Sequence, residues 1–150
     1  IIAVAGDERK LELCRELGVD HLISYREESI YQRGKEITSG AGADIVFEHV
    51  GHATWTDSLR SLALGGRLVT CGATTGPKVE VDLRHLFSKQ QSIMGSTMGD
   101  VSGFHEIVQW LAERKVRPVV DKLFPMTEIQ EAHRYLEENQ QAGKIVLRPE

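Results

Sequence analysis

Short apolar runs alternate with amphipathic helical stretches along the whole chain, and this alternation restricts the fold more than any other feature. Ile1–Ala5, His21–Tyr25, Ala43–Val50, Arg67–Gly72, Ser92–Met98, Val119–Phe124 and Lys144–Leu147 read as strands. Between them, Asp7 caps a helix with Leu11, Cys14 and Leu17 on its apolar face and Gly18 at its end. A weaker helix spans about Glu28 to Thr38. Thr54 and Asp57 are spaced to cap a helix burying Trp55, Leu59 and Leu62, which Gly65-Gly66 ends. A short amphipathic piece, Leu83 to Phe87, lies in the less regular stretch that follows. A longer helix then places Phe104, Ile107, Val108 and Leu111 on one face. After Pro125, Thr127 and Gln130 form a capping box for a helix burying Ile129, Ala132 and Leu136. Strand and helix in strict alternation predict an α/β fold, a doubly wound and mostly parallel sheet with helices on both faces.

With 150 residues, 41% hydrophobic and 27% charged, the chain suits one domain with a packed core. A net charge of −4 and the lack of a basic stripe argue against nucleic acid as a partner. No apolar run reaches the roughly 18 residues of a membrane span, and no signal peptide is visible. Cys14 and Cys71 lie in different elements, as in a reduced cytoplasmic protein.

Ligands on parallel sheets bind at the carboxyl ends of the strands. That rule selects Ala5-Gly6, Tyr25, His49-Val50-Gly51, Cys71-Gly72-Ala73-Thr74 and Ser96-Thr97-Met98. Four of these have a plain structural alternative: Val50 as core, Gly51 and Gly72 as turn glycines with permissive φ, and Cys71 as a small buried hydrophobe. His49 and His52 are three apart, but Gly51 lies between them at a strand end and no third ligand is evident, so no metal site is expected. The other histidines, His21, His85, His105 and His133, are scattered as solvated or partly buried residues. No nucleophile and base are spaced for catalysis, and no catalytic residue is assigned.

Several segments, in order, resemble the medium-chain dehydrogenase/reductase superfamily, which contains the zinc-type alcohol dehydrogenases and the quinone oxidoreductases; the quinone oxidoreductase-like branch is most similar. They are residues 5–11 (AGDERKL), 18–21 (GVDH) with 23–28 (ISYREE), 44–51 (DIVFEHVG), 65–76 (GGRLVTCGATTG), 95–99 (GSTMG) and 143–147 (GKIVL). The resemblance implies a Rossmann-like sheet of strand order 3-2-1-4-5-6. The chain would begin at strand 2, lacking the first strand and the glycine-rich G-x-G-x-x-G loop. Residues 1–150 would then be a partial dinucleotide-binding domain, with the catalytic domain outside the chain. Strand 1 lies mid-sheet in that order, so the flanking strands are expected to close the gap by rearrangement or swapping, or to be ordered with an upstream segment.

The implied function is cofactor binding in an NADP(H)-dependent oxidoreductase that transfers hydride to or from a carbonyl, an activated alkene or a quinone. The fragment alone is expected to be inactive. NAD(H)-type relatives carry an acidic residue at the end of strand 2, where Ala5-Gly6 stand here. Gly6 leaves room for a 2′-phosphate, and by resemblance Lys10 supplies positive charge and Tyr25 a hydroxyl. Asp7 and Glu8 oppose this unless they point away, and helix capping is the plain role of Asp7. By the same resemblance His49, Val50, Cys71, Gly72, Thr74, Ser96, Thr97 and Met98 approach the nicotinamide half. Zinc in the parent is left open by these residues. A homodimer through the edge strand Ser92–Thr97 is implied as well. Two other readings stand beside this one: a class I S-adenosylmethionine-dependent methyltransferase, for which Gly65-Gly66-Arg67-Leu68-Val69 is a similar strand, and a non-catalytic nucleotide-sensing domain.

Overall fold

The computed structural model describes residues 1–149, and the chain divides into two compact units, Ile1–Met98 and Gly99–Glu150. In the first unit, β1 (Ile2–Ala5), α1 (Glu8–Glu16) and β2 (His21–Ser24) are followed by α2 (Ile30–Ile37) and β3 (Ala43–Glu48). Then come α3 (Trp55–Arg60), β4 (Leu62–Thr70), α4 (Leu83–Ser88) and β5 (Ser92–Gly95). The strand pairs are parallel, because the helical connections return the chain to the same end of the sheet each time.

Strand order is β1-β2 in one sheet and β3-β4-β5 in another. Both runs agree with the expected order on either side of its central strand. The expected closure by rearrangement does not occur: among the described residues no ladder joins β1 to β3. The edges are instead exposed, with Val4 42%, Ile45 65% and Phe47 67% accessible.

Local chemistry explains most of the elements. Asp7 accepts the Lys10 N–H at 2.9 Å and opens α1, as expected. Arg15 lies in its last turn, where a cation complements the helix dipole. Leu11 is buried beneath it, but Leu17 is the exposed C-cap residue and not part of the packed face. Ser29 caps α2. The core of this unit is Trp55, Leu59, Leu62 and Leu68, flanked by Val46, Val79, Val81 and Ile93. Leu62 belongs to that core from β4, not from the preceding helix. Gly65-Gly66 does not end a helix. The chain passes through it as an irregularity in β4, whose pairing jumps from Ala43↔Leu62 to Ile45↔Arg67.

The second unit contains α5 (Val101–Ala112), β6 (Val120–Pro125), α6 (Ile129–Glu137) and β7 (Lys144–Arg148), with β6 and β7 parallel. Asp100 caps α5 by accepting the Gly103 N–H at 2.7 Å. The apolar face of α5 is not buried: Phe104, Ile107, Val108 and Leu111 are all exposed. Phe124 and Ala132 are buried, and Tyr135 stacks edge-on against Phe124 while its hydroxyl donates to Asp121. The Thr127/Gln130 capping box is absent. A short 3-10 turn, Met126–Glu128, leads into α6 with no side-chain cap, and Ile129 and Leu136 are exposed. No helix among the described residues is long and apolar enough to cross a membrane.

Candidate functional site

The strand ends gather the selected residues into two clusters. At the ends of β3 and β4, the backbone of residues 48–53 is sewn to that of residues 71–76. The Cys71 N–H donates to the Glu48 carbonyl at 3.1 Å, and the Thr75 N–H to the Val50 carbonyl at 2.8 Å. The His52 N–H reaches the Gly76 carbonyl at 3.2 Å. Threonine side chains reinforce the seam. Thr74 Oγ1 donates to the His49 carbonyl at 3.1 Å, and Thr75 Oγ1 donates to the Val50 carbonyl while accepting from the Ala53 N–H. His49, Val50, Cys71, Gly72 and Thr74 are thereby brought together. Ser96 joins them through its N–H, which donates to the Thr70 carbonyl at 2.9 Å. Thr97 and Met98 follow the end of β5, and Met98 is 96% exposed.

Two glycines make the approach of these segments possible. Gly51 has φ +86°, and a Cβ there would lie 2.6 Å from the Gly76 carbonyl oxygen. Gly72 does not have a positive φ, contrary to its reading as a permissive turn residue. Its need is spatial, since a Cβ would lie 2.9 Å from the His49 carbonyl oxygen. Cys71 is exposed and Val50 half-buried, so neither is the core residue of its plain reading.

Beneath the turn lies Glu48, a buried carboxylate that the sequence reading did not single out. Its Oε1 accepts from the Val50 N–H at 2.6 Å and the Gly51 N–H at 3.1 Å. The Thr54 hydroxyl lies within bonding distance of both carboxylate oxygens, and the Ser58 hydroxyl donates to Oε2 at 2.5 Å. Burial pushes the Glu48 carboxyl up, but the bonds from Ser58, Gly51, Val50 and Thr54 together outweigh it and leave the group below its ordinary value. This network also corrects the expected Thr54/Asp57 capping of α3. Thr54 makes no cap bond, because its hydroxyl is engaged by Glu48. The available signal was a charged residue closing the apolar run Ile45-Val46-Phe47, with hydroxyl residues six and ten positions later.

The second cluster is at the ends of β1 and β2. Gly6 is buried against Tyr25, and a Cβ on it would collide with the Tyr25 ring and hydroxyl, so the room expected over Gly6 for a 2′-phosphate is taken by that ring. Asp7 faces its own helix: it holds the Lys10 N–H, and Lys10 Nζ lies 3.4 Å from its other oxygen. The Lys10 amide and then its charge hold the Asp7 carboxyl below the usual range. Gly6 and Tyr25 therefore lie at the ends of two adjacent strands, and Lys10 lies in the first turn of α1 beside Asp7.

Of the two histidines in this turn, His52 is engaged by backbone. His52 Nδ1 is 3.1 Å from the Lys78 carbonyl oxygen, and among the described residues no three His, Cys, Asp or Glu side chains are grouped to hold a metal ion. The remaining four histidines are exposed.

The zinc-binding dehydrogenase family matches residues 1–113. A zinc-type alcohol dehydrogenase-like protein of Schizosaccharomyces pombe is 28% identical over 99% of this chain and 44% of its own length. Among solved structures, an NAD-dependent alcohol dehydrogenase superposes with a TM-score of 0.90 at 36% identity, over 98% of this chain and 43% of that one. A crotonyl-CoA carboxylase/reductase in complex with NADP gives a TM-score of 0.88 at 27% identity, over 97% of this chain and 43% of that one. The chain thus spans less than half the length of these relatives. Parallel sheets with intervening helices, the ordered strand-end segments and these matches agree: the chain has a Rossmann-like α/β fold and belongs to the zinc-binding dehydrogenase family of the medium-chain dehydrogenase/reductase superfamily.

Proposed function

We propose that this chain is the cofactor-binding portion of an NADP(H)-dependent oxidoreductase whose substrate is a carbonyl, an activated alkene or a quinone. The observation that carries the choice of cofactor is local. The residue that follows β1 is Gly6 and not an acidic one, the Tyr25 ring covers it, and Lys10 stands one helical turn after the Asp7 cap. An acidic side chain at that strand end would take the ribose 2′-hydroxyl of NAD and repel a 2′-phosphate. The Asp7 carboxylate is turned to the Lys10 N–H and to the Lys10 ammonium, which moderates its repulsion. Similarity to an NAD-dependent relative bears on the family, whereas ribose selection depends on these side chains.

When bound, the nicotinamide supplies or accepts hydride at C4, and the protein supplies orientation. His49, Val50, Cys71, Gly72, Thr74, Ser96, Thr97 and Met98 would meet the nicotinamide half, with Gly6, Lys10 and Tyr25 at the 2′-phosphate. The cradle at β3 and β4 suits this role because its backbone is already fixed, so little ordering cost falls on binding. The free edge of β5 would pair with its copy in a homodimer, which light scattering at micromolar concentration tests directly. For the cofactor, NADPH, NADH and S-adenosylmethionine are titrated against the full-length protein carrying this chain. Tighter binding of NADPH than NADH is expected. Preference for NADH would overturn the 2′-phosphate assignment. Binding of S-adenosylmethionine alone would overturn the oxidoreductase reading in favour of a methyltransferase.

A further inference from the structure

We infer that Glu48 is a positioning residue for the nicotinamide half of the cofactor, its carboxylate fixing the turn His49-Val50-Gly51 from beneath. The inference rests on the reading above that this strand end meets the nicotinamide.

Glu48 is 3% exposed, and the donors that reach it are two backbone amides and two hydroxyls, all neutral. A buried carboxylate without a cation is a costly choice for stability alone, since an apolar side chain of similar volume would avoid the desolvation. Its partners show what the carboxylate does instead. All four lie within the next ten residues, at positions 50, 51, 54 and 58, so it ties no distant element to another. It binds the turn after β3 to the first turns of α3. The opposite side of the same turn is held by Thr74 and Thr75 on the His49 and Val50 carbonyls. The Val50 and Gly51 amides and the His49 and Val50 carbonyls are thus all bonded, which fixes the backbone of the turn that carries His49.

The carboxylate is not a candidate for proton transfer. Its four donors, the Val50 and Gly51 amides on Oε1 and the Thr54 and Ser58 hydroxyls on Oε2, match its four acceptor sites, so no lone pair is presented to a substrate. Its contribution passes through the backbone it holds. An amide oxygen in the same place could accept the same two N–H bonds, while the Thr54 and Ser58 hydroxyls could turn to accept from the amide nitrogen. Glu48→Gln is therefore the conservative replacement, and Glu48→Ala the disruptive one.

The test uses the full-length protein and two probes: NADPH, and 2′,5′-ADP, which carries the adenosine half without the nicotinamide. For Glu48→Ala, NADPH affinity should fall by about tenfold or more, and 2′,5′-ADP affinity should stay within about twofold of wild type. Glu48→Gln should recover NADPH affinity to within about threefold. Should Glu48→Ala fail to fold, Thr54→Val removes one donor, and a selective loss of about threefold is expected for NADPH. Equal losses for both probes would overturn the inference in favour of general destabilisation. An unchanged NADPH affinity, or a Gln variant as weak as Ala, would overturn it too. If wild type bound 2′,5′-ADP but not NADPH, the nicotinamide role would fail. If it bound neither, the proposed function itself would fail, and hydrogen exchange at the Val50 and Gly51 amides would still show whether Glu48 holds the turn.

Discussion

The two strand-end clusters are built on different principles. The one after β3 and β4 is a backbone structure: amides, carbonyls and threonine hydroxyls are bonded across the seam, and glycines let the segments touch. The one after β1 and β2 is a side-chain structure, consisting of one bare glycine, a tyrosine laid over it and a lysine bonded to a helix cap. The first resists change because many bonds over-determine it. The second can be altered one residue at a time. Under the proposed function, the nicotinamide end, common to both forms of the cofactor, falls to the first kind of site, and the ribose end, which bears or lacks a phosphate, falls to the second.

The largest effect should come from the core under the backbone cluster. Leu68 is fully buried beside Trp55, Leu59 and Leu62, and Leu68→Ala should cost about 3 kcal/mol, read by urea unfolding. A cost below about 1 kcal/mol would mean that the cradle does not rest on this core. Next, Gly51→Ala places a Cβ against the Gly76 carbonyl at a positive φ, and should cost on the order of 2–3 kcal/mol in the same assay. Gly6→Asp tests the side-chain cluster. It displaces the half-exposed Tyr25 ring and puts an anion at the proposed 2′-phosphate position, so the NADPH-to-NADH affinity ratio should fall by about tenfold or more with little change in stability. Asp7→Ala removes the cap of α1 and should cost about 1 kcal/mol, while raising the NADPH-to-NADH ratio slightly because Lys10 loses its competing carboxylate. The smallest effect is in pH. A carboxyl whose value is lowered on folding stabilises fully above its unfolded value, here 4.5, and loses that contribution as pH falls through the lower folded value. The difference in Tm between wild type and Glu48→Gln should therefore be constant above about pH 5 and shrink on acidification below it.

These contrasts also show what a sequence reveals. Alternation located the strands and predicted their parallel pairing, because a helical return leaves few other choices, and Asp7 was legible as a cap because its bond is local. Gly65-Gly66 misled because glycine marks a helix end and a strand irregularity alike, and the pairing of Ile45 with Arg67 is not local. Thr54 misled for a related reason. Its spacing to Asp57 fits a capping box, but the stronger acceptor was the Glu48 carboxylate, set beside it by the turn. In α5 the periodicity of Phe104, Ile107, Val108 and Leu111 was correct, yet periodicity reports an apolar face and not whether anything covers it. The adjacency of Gly6 and Tyr25 was legible from their strand-end positions alone. The support under His49 was not, because a buried glutamate and a surface glutamate look the same in a sequence.

The most direct test of the account is a crystal structure of the full-length protein with NADP+. The account predicts the nicotinamide against His49-Val50-Gly51 and Cys71-Gly72-Ala73-Thr74, and the 2′-phosphate beside Gly6, Lys10 and Tyr25. A cofactor bound with its 2′-phosphate away from Lys10 and Tyr25, or with its nicotinamide clear of the β3 and β4 strand ends, would contradict it.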